Sequence, residues 1–192
     1  MRFILDFLFP EKDFDFTKFP PSSVNSSALF DYGSKYVKEA IWQFKYKGNR
    51  KLAGQFGTLL GDNISALLDE EGIFGEVLLI PVPVSDKRRL ERGFNQCELL
   101  CEVIKKSGPR FMYLPNTLRK IRHTESQTKT SSRRERLENL RGSMEVVDVR
   151  GIRGHSAVVV DDVMTTGATF AEAKRVLRNA GAKKVFCFAL SH

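Results

Sequence analysis

Three cysteines, Cys97, Cys101 and Cys187, are too few to build a disulfide framework for 192 residues. A chain so poor in cysteine suits a reducing compartment. No apolar run approaches the roughly 20 residues that a membrane-spanning helix needs. The opening stretch MRFILDFLFP is apolar, but Arg2 is its single basic flank, Asp6 interrupts it and no small-residue cleavage site follows. It therefore does not read as a signal peptide, and a cytoplasmic location is expected. Repeats are lacking, and so is any linker long enough to split the chain, which has the length of one domain with a hydrophobic core.

What the chain does have is positive charge. Its 31 basic and 23 acidic residues give +8, which favours anionic partners such as phosphates or nucleic acid, or simply makes a solvated basic face. Apolar residues make up an ordinary 42%. Seven of the fifteen phenylalanines (Phe3, Phe7, Phe9, Phe14, Phe16, Phe19 and Phe30) fall within residues 1–30, among Pro and Ser. Free rings there would expose apolar patches, so this N-terminal segment is expected to pack into the core or dock on a partner. Residues 31–192 then form the main domain.

Within that domain, residues 34–47 and 50–71 carry helical periodicity, separated by the turn signal KGN. EVLLIPVPV (76–84) is a buried strand running into a Pro-x-Pro loop, because prolines without donors cannot continue a central strand. RRLERGFNQCELLCEVIKK (88–106) continues into a helix with Leu99, Leu100, Val103 and Ile104 on its apolar side. RFMYL (110–114) predicts a strand, and residues 115–143 are polar without apolar periodicity. HSAVVVD (155–161) and KKVFCFAL (183–190) are buried strands, and residues 168–181 form a helix closed by a glycine. Strands alternating with helices predict an α/β domain with a mainly parallel central sheet flanked by helices. Ligands of such sheets sit at the carboxyl ends of the strands.

AVVVDDVMTTGATF (157–170) lies at such an end. A strand runs into a short turn with one glycine, then a helix opens. The first N–H groups of that helix lack partners of their own. With the hydroxyls of Thr165, Thr166 and Thr169 they make a phosphate pocket, and Gly167 lets the backbone approach the ligand. Asp161 and Asp162 would be out of place beside a phosphate alone. They fit a ligand that also offers a cis-diol, since carboxylates accept strongly from hydroxyls. Neighbouring residues on a strand point opposite ways, so one carboxylate holds the diol while the other faces the reacting carbon or a metal-bound water. The pattern is a ribose 5-phosphate grip. A bare TTG would be only a helix cap.

VVVDDVMTTGAT resembles the phosphoribosyl pyrophosphate (PRPP) motif of type I phosphoribosyltransferases. WQFKYKGNRKLAGQFG (42–57), IPVPVSDKRRLERGFNQCELL (80–100) and LRKIRHTESQTKTSSRRERLENLRGSMEV (118–146) are similar to the ComF (ComFC) competence family. The resemblance spans nearly the whole chain. It implies a type I phosphoribosyltransferase-like fold of about five strands with a flexible hood loop. It implies that Asp161 and Asp162 hold the ribose and act at the reacting centre, while Thr165, Thr166, Gly167, Ala168 and Thr169 cradle the 5-phosphate. Pro81, Val82, Pro83 and Val84 match the pyrophosphate-side loop. Arg88 and Arg92 match basic positions expected to neutralise pyrophosphate; the alternative, a solvated helix start, weighs more for Arg88. The stretch from Arg119 to Arg141, with eight basic and three acidic residues, matches the hood. Within it Gln127, Arg133, Arg136 and Asn139 stand at recurring family positions, and a polar lid fits the missing periodicity. Lys45 and Lys47 match the family without a derivable role.

The class displaces pyrophosphate from C1 of PRPP with a nitrogen nucleophile. Mg²⁺ is expected to be held mainly by PRPP oxygens and water, since no side-chain cluster reads as a metal cage. The family's N-terminal zinc ribbon has no counterpart here. Asp13 and Phe16 stand where the first two cysteines would be, and no cysteine precedes Cys97, so no zinc is expected. Cys97 and Cys101, four apart on a helix, read as small buried hydrophobes rather than metal ligands. Cys187 reads as core, His155 and His192 as incidental, and His123 as part of the lid.

Two functions follow as expectations. One is a PRPP-binding protein of DNA uptake, with phosphoribosyltransferase activity open. The other is a non-catalytic protein that binds single-stranded DNA and uses the same pocket for a phosphate. Other DNA-uptake proteins are possible partners.

Overall fold

Three runs of consecutive apolar residues, VLLI, AVVV and VFCFAL, lack the polar alternation of a half-solvated strand and so call for cover on both faces. They become the centre of the sheet. The computed structural model describes residues 14–16, 27–121 and 139–192. In chain order the elements are β1 (Ala28–Phe30), α1 (Lys35–Lys47), α2 (Arg50–Glu70), β2 (Val77–Pro81), α3 (Asp86–Arg92), α4 (Gln96–Ile104), β3 (Phe111–Tyr113), β4 (Leu118–Lys120), β5 (Met144–Val146), β6 (Ser156–Val163), α5 (Ala168–Asn179) and β7 (Val185–Ser191).

The main sheet has five strands in the order β1-β7-β6-β2-β3, and every pair is parallel. β6 lies at the middle, with Val159 in register with Ile80 on one side and Cys187 on the other. Alternation along the strands feeds two cores. Val158, Val160 and Phe188 pack with Phe44, Phe56, Leu60, Leu100 and Ile104 of α1, α2 and α4. Val159, Ala157 and Ala189 pack with Phe170, Ala173 and Leu177 of α5.

β2 ends at Pro81, as a proline-terminated central strand should. The Val82 N–H donates to the Val160 carbonyl at 2.9 Å. By alternation the Pro81 nitrogen faces β3, whose pairing with β2 has already ended at Leu79 and Tyr113, so no ladder bond is lost there.

α2 packs closely on α4. A Cβ at Gly57 would lie 2.5 Å from the Val103 Cβ, so only glycine allows this approach. Near the N-terminus, Phe14 and Phe16 are buried, and the Phe16 ring centroid lies 4.9 Å from that of Phe56 and 5.4 Å from that of Phe30. The last residues of the Phe-rich segment form β1 and pair with β7.

Two stretches hold more structure than their sequence patterns specify. Residues 88–106 do not form one helix. The chain breaks at Gly93, which caps α3 at φ 79°, and restarts at Asn95, whose side chain accepts from the Cys97 N–H. Residues 115–143 are not wholly without regular structure. Leu118–Lys120 pairs antiparallel with Met144–Val146, anchored by buried Leu118 and Met144. Among the described residues no helix is long and apolar enough to cross a membrane.

Candidate functional site

The acid pair sits inside the last turns of the sheet ladder rather than beyond it. Asp161 is in register with Ala189, and β6 continues to Val163, opposite Ser191. Strand alternation sends the two carboxylates to opposite faces. Asp161 lies on the α5 side, where its Oδ1 accepts from the Cys97 thiol at 3.5 Å and from the Asp162 N–H at 2.8 Å. Asp162 lies on the α1 side, where its Oδ1 is 3.1 Å from the Lys45 Nζ.

These environments are unequal. Burial first, and the neighbouring Asp162 charge second, push the Asp161 carboxyl well above the usual carboxylate range. The Asp162 N–H, Lys45 and Cys97 oppose that rise without cancelling it. Cys97 is itself pushed up, by burial and then by Asp161, so it stays a thiol and a donor. It is more than the small buried hydrophobe its spacing implied.

After β6 the Met164 N–H donates to the Ser191 carbonyl at 2.8 Å, which turns the chain off the sheet. Gly167 takes φ 75°, a conformation that costs other residues energy, and α5 opens at Ala168. A Cβ at Gly167 would meet nothing within 4 Å, so the backbone here faces open space. Thr166 Oγ1 accepts from the Ala168 N–H at 3.4 Å. Thr165 is exposed, and Thr166 and Thr169 are half-buried. In the first turn the N–H groups of Thr169 and Phe170 have no intrahelical acceptor, and with the helix dipole they give the turn the capacity to accept an anion. The structure thus brings Asp161, Asp162 and residues 165–169 together at one strand end.

The Pro-x-Pro loop stands on the neighbouring strand. Val82 is buried, Pro83 and Val84 are half-buried, and the Val82 carbonyl accepts from Asn95 Nδ2 at 3.1 Å. Asn95 and Gln96, both buried, were not singled out from the sequence, although an asparagine just after a glycine break is a helix-start signal. Gln96 Nε2 donates to the Lys45 carbonyl at 2.7 Å. Residues 95–97 therefore tie together the Pro-x-Pro loop, the end of α1 and the acid pair.

Arg88 and Arg92 diverge. Arg88 is exposed on α3, and its charge helps depress Lys120, whose ammonium is lowered first by burial and then by Arg88. Asp161 and Asp162 act on Lys120 in the opposite sense, so this lysine faces both the basic and the acidic side of the site. Arg92 turns away, with NH1 3.1 Å from Gln96 Oε1 and its guanidinium 5.0 Å from the Tyr46 ring centroid.

A cleft of about 470 Å³ lies beside these groups, walled by Pro83, Val84, Arg89, Asn116 and Lys120 among others. The acid pair is not in its lining; Lys120 is the link between the two. Gly142, which follows the stretch expected to form a hood, is fixed by Glu172 on α5, a buried carboxylate that accepts from the Gly142 N–H at 2.7 Å and from Arg175 through two bonds of 2.8 Å. Asn139 is exposed beside that anchor. Gln127, Arg133, Arg136 and His123 lie outside the described residues. Among the described residues no three of His, Cys, Asp and Glu converge as metal ligands.

Compared with known proteins, residues 114–191 match the Phosphoribosyl transferase domain family. The chain is 30% identical to competence protein ComFC of Streptococcus pneumoniae over 168 residues, 87% of this chain and 68% of that protein. It is 28% identical to competence protein ComFC of Bacillus subtilis over 80% of this chain and 59% of that protein. It is 31% identical to DNA utilization protein YhgH of Salmonella typhimurium over 88% of this chain and 73% of that protein.

Proposed function

The chain belongs to the ComF family and has a type I phosphoribosyltransferase-like fold, and from that premise we propose that it binds PRPP and serves DNA uptake in the cytoplasm. The observation that carries the reading is the meeting of two carboxylates and an open helix N-terminus at one strand end. Asp161 and Asp162 accept from the ribose hydroxyls. Residues 165–169 hold the 5-phosphate. The C1 pyrophosphate then lies toward Val82, Pro83 and Val84, with Arg88 and Lys120 as the nearby positive charge.

Mg²⁺ belongs to this reading as a companion of PRPP. The donor set fits a shared ion rather than a caged one, because Asp161 and Asp162 offer carboxylate oxygens and no third acidic, His or Cys ligand joins them among the described residues. When bound with PRPP, Mg²⁺ neutralises charge on the pyrophosphate. The protein's own part is to orient the sugar, to face the C1 carbon with a carboxylate as positive charge develops there, and to place cations near the departing group. The reading includes no zinc; a stoichiometric zinc content in the purified protein would overturn that element.

Transfer chemistry is tested by incubating the protein with PRPP, Mg²⁺ and a panel of nucleobases, amines and DNA, and measuring pyrophosphate. Acceptor-dependent release supports a phosphoribosyltransferase. Saturable PRPP binding without release supports a non-catalytic sensor.

A second reading, single-stranded DNA binding, has its own observation. Tyr46 is exposed, stacks under Arg92, and lies 5.5 Å from the Trp42 ring, the type of cationic and aromatic surface on which bases stack. Affinity for an oligonucleotide should fall steeply with salt. It should drop in Tyr46→Ala, and neutralising Arg133, Arg134 and Arg136 should flatten the salt slope. Unchanged affinity in both variants would remove this reading and leave PRPP binding untouched.

A further inference from the structure

α1 ends beside the acid pair, on the opposite side of β6 from α5, and residues 35–47 lie outside the span that matches the phosphoribosyl transferase domain. Its last-turn carbonyls have no intrahelical donor. One of them, the Lys45 carbonyl, is held at 2.7 Å by Gln96, a side chain with no exposed surface that is itself bonded to Arg92. The backbone of Lys45 is therefore fixed by a buried bond, while its side chain crosses to Asp162.

The ion pair so formed is 3.1 Å long, with side chains 20% and 15% exposed, so it lies at the mouth of the site rather than in the core. The carboxylate oxygen that Lys45 occupies is one that a sugar diol would use. An ammonium has three donors on a flexible stem, so it can keep one bond to a carboxylate and turn another to an incoming anion. On the PRPP-binding reading, from which this inference proceeds, the ligand supplies that anion on the carbon next to the diol.

We propose that Lys45 is an exchangeable counter-ion, paired with Asp162 in the free protein and shifted onto the anionic group at C1 when the diol takes up the acid pair. The lysine thereby pairs with the Asp162 carboxylate before binding, and becomes a ligand contact after it. Gln96 is the positioning residue that holds the end of α1 where this exchange is possible.

The test compares two ligands by calorimetry in Mg²⁺: PRPP, and ribose 5-phosphate, which lacks the anionic group at C1. Lys45→Met should weaken PRPP at least about tenfold, the worth of one charge-assisted hydrogen bond, and leave ribose 5-phosphate within about threefold. Lys45→Arg should keep PRPP within about threefold. Equal loss of both ligands in Lys45→Met would overturn the proposal, assigning Lys45 only to the shape of the acid pair, and so would loss of neither. Failure of the wild-type protein to bind PRPP would instead sink the reading beneath it. A thermal melt checks the fold, and Lys45→Gln carries the same comparison should Lys45→Met unfold.

Discussion

Replacing Asp161 by Asn should make the protein more stable in mild alkali and less sensitive to pH. The carboxyl of Asp161 is raised from its ordinary 3.8 to about 7, by burial first and the Asp162 charge second. The groups that face it are Asp162, Lys45, Cys97 and Lys120. Between those two values the folded protein holds a proton that the unfolded chain has released. Stability from this group is therefore fully present below about pH 4, falls as pH rises, and is gone once pH passes the folded value. At about 1.4 kcal/mol for each pH unit of the rise, the ceiling is roughly 4 kcal/mol. The carboxyl sits at an open strand end and keeps some exposure, so solvent screening reduces the expected effect to about 1–2 kcal/mol. An Asn Oδ1 can still accept from Cys97 and from the Asp162 N–H, so the geometry survives the change. The assay is urea unfolding of wild type and Asp161→Asn at pH 5 and pH 8. Wild type should lose about 1–2 kcal/mol more than the variant between the two conditions. Parallel pH profiles would refute the unequal environments assigned to the two carboxylates.

Gly57→Ala should destabilise by about 1–2 kcal/mol in chemical unfolding, because its Cβ would lie 2.5 Å from the Val103 Cβ and the overpacking outweighs the better helix propensity. Asn95→Ala removes both the cap of α4 and the bond to the Val82 carbonyl, and should cost about 2 kcal/mol in the same assay while weakening PRPP binding. Asn95→Asp keeps the cap and loses the donor, so it should retain stability better than it retains PRPP affinity.

The order of strands and helices was legible because each central strand is an unbroken apolar run and the helices α1 and α2 start at side chains that cap them, Ser34 and Asn49. The grouping of these residues was legible for a different reason: acid pair, threonines and glycine lie within one short stretch, so a single strand-turn-helix brings them together. The helix at the end of residues 88–106 was legible, but the break before it was not, because RRLERGFNQCELL keeps helical periodicity across Gly93. The signal that decides is local, a glycine followed by a capping asparagine. The β4–β5 hairpin was missed because each strand has three residues, too short to show alternation. Lys45 reaches Asp162, and Lys120 comes within the field of the acid pair, through tertiary packing, and nothing in their local sequence points to it. Cys97 likewise looked like core filler because burial alone does not show which atom its thiol faces.

The central claim is that the acid pair and residues 165–169 form one site for PRPP. Calorimetry with PRPP and Mg²⁺ on wild type and on Asp161→Asn with Asp162→Asn tests it directly. Saturable binding by wild type, weakened on the order of a hundredfold in the double variant, is the predicted result, since two charge-assisted contacts are lost. Equal affinity of the two proteins for PRPP would contradict the account.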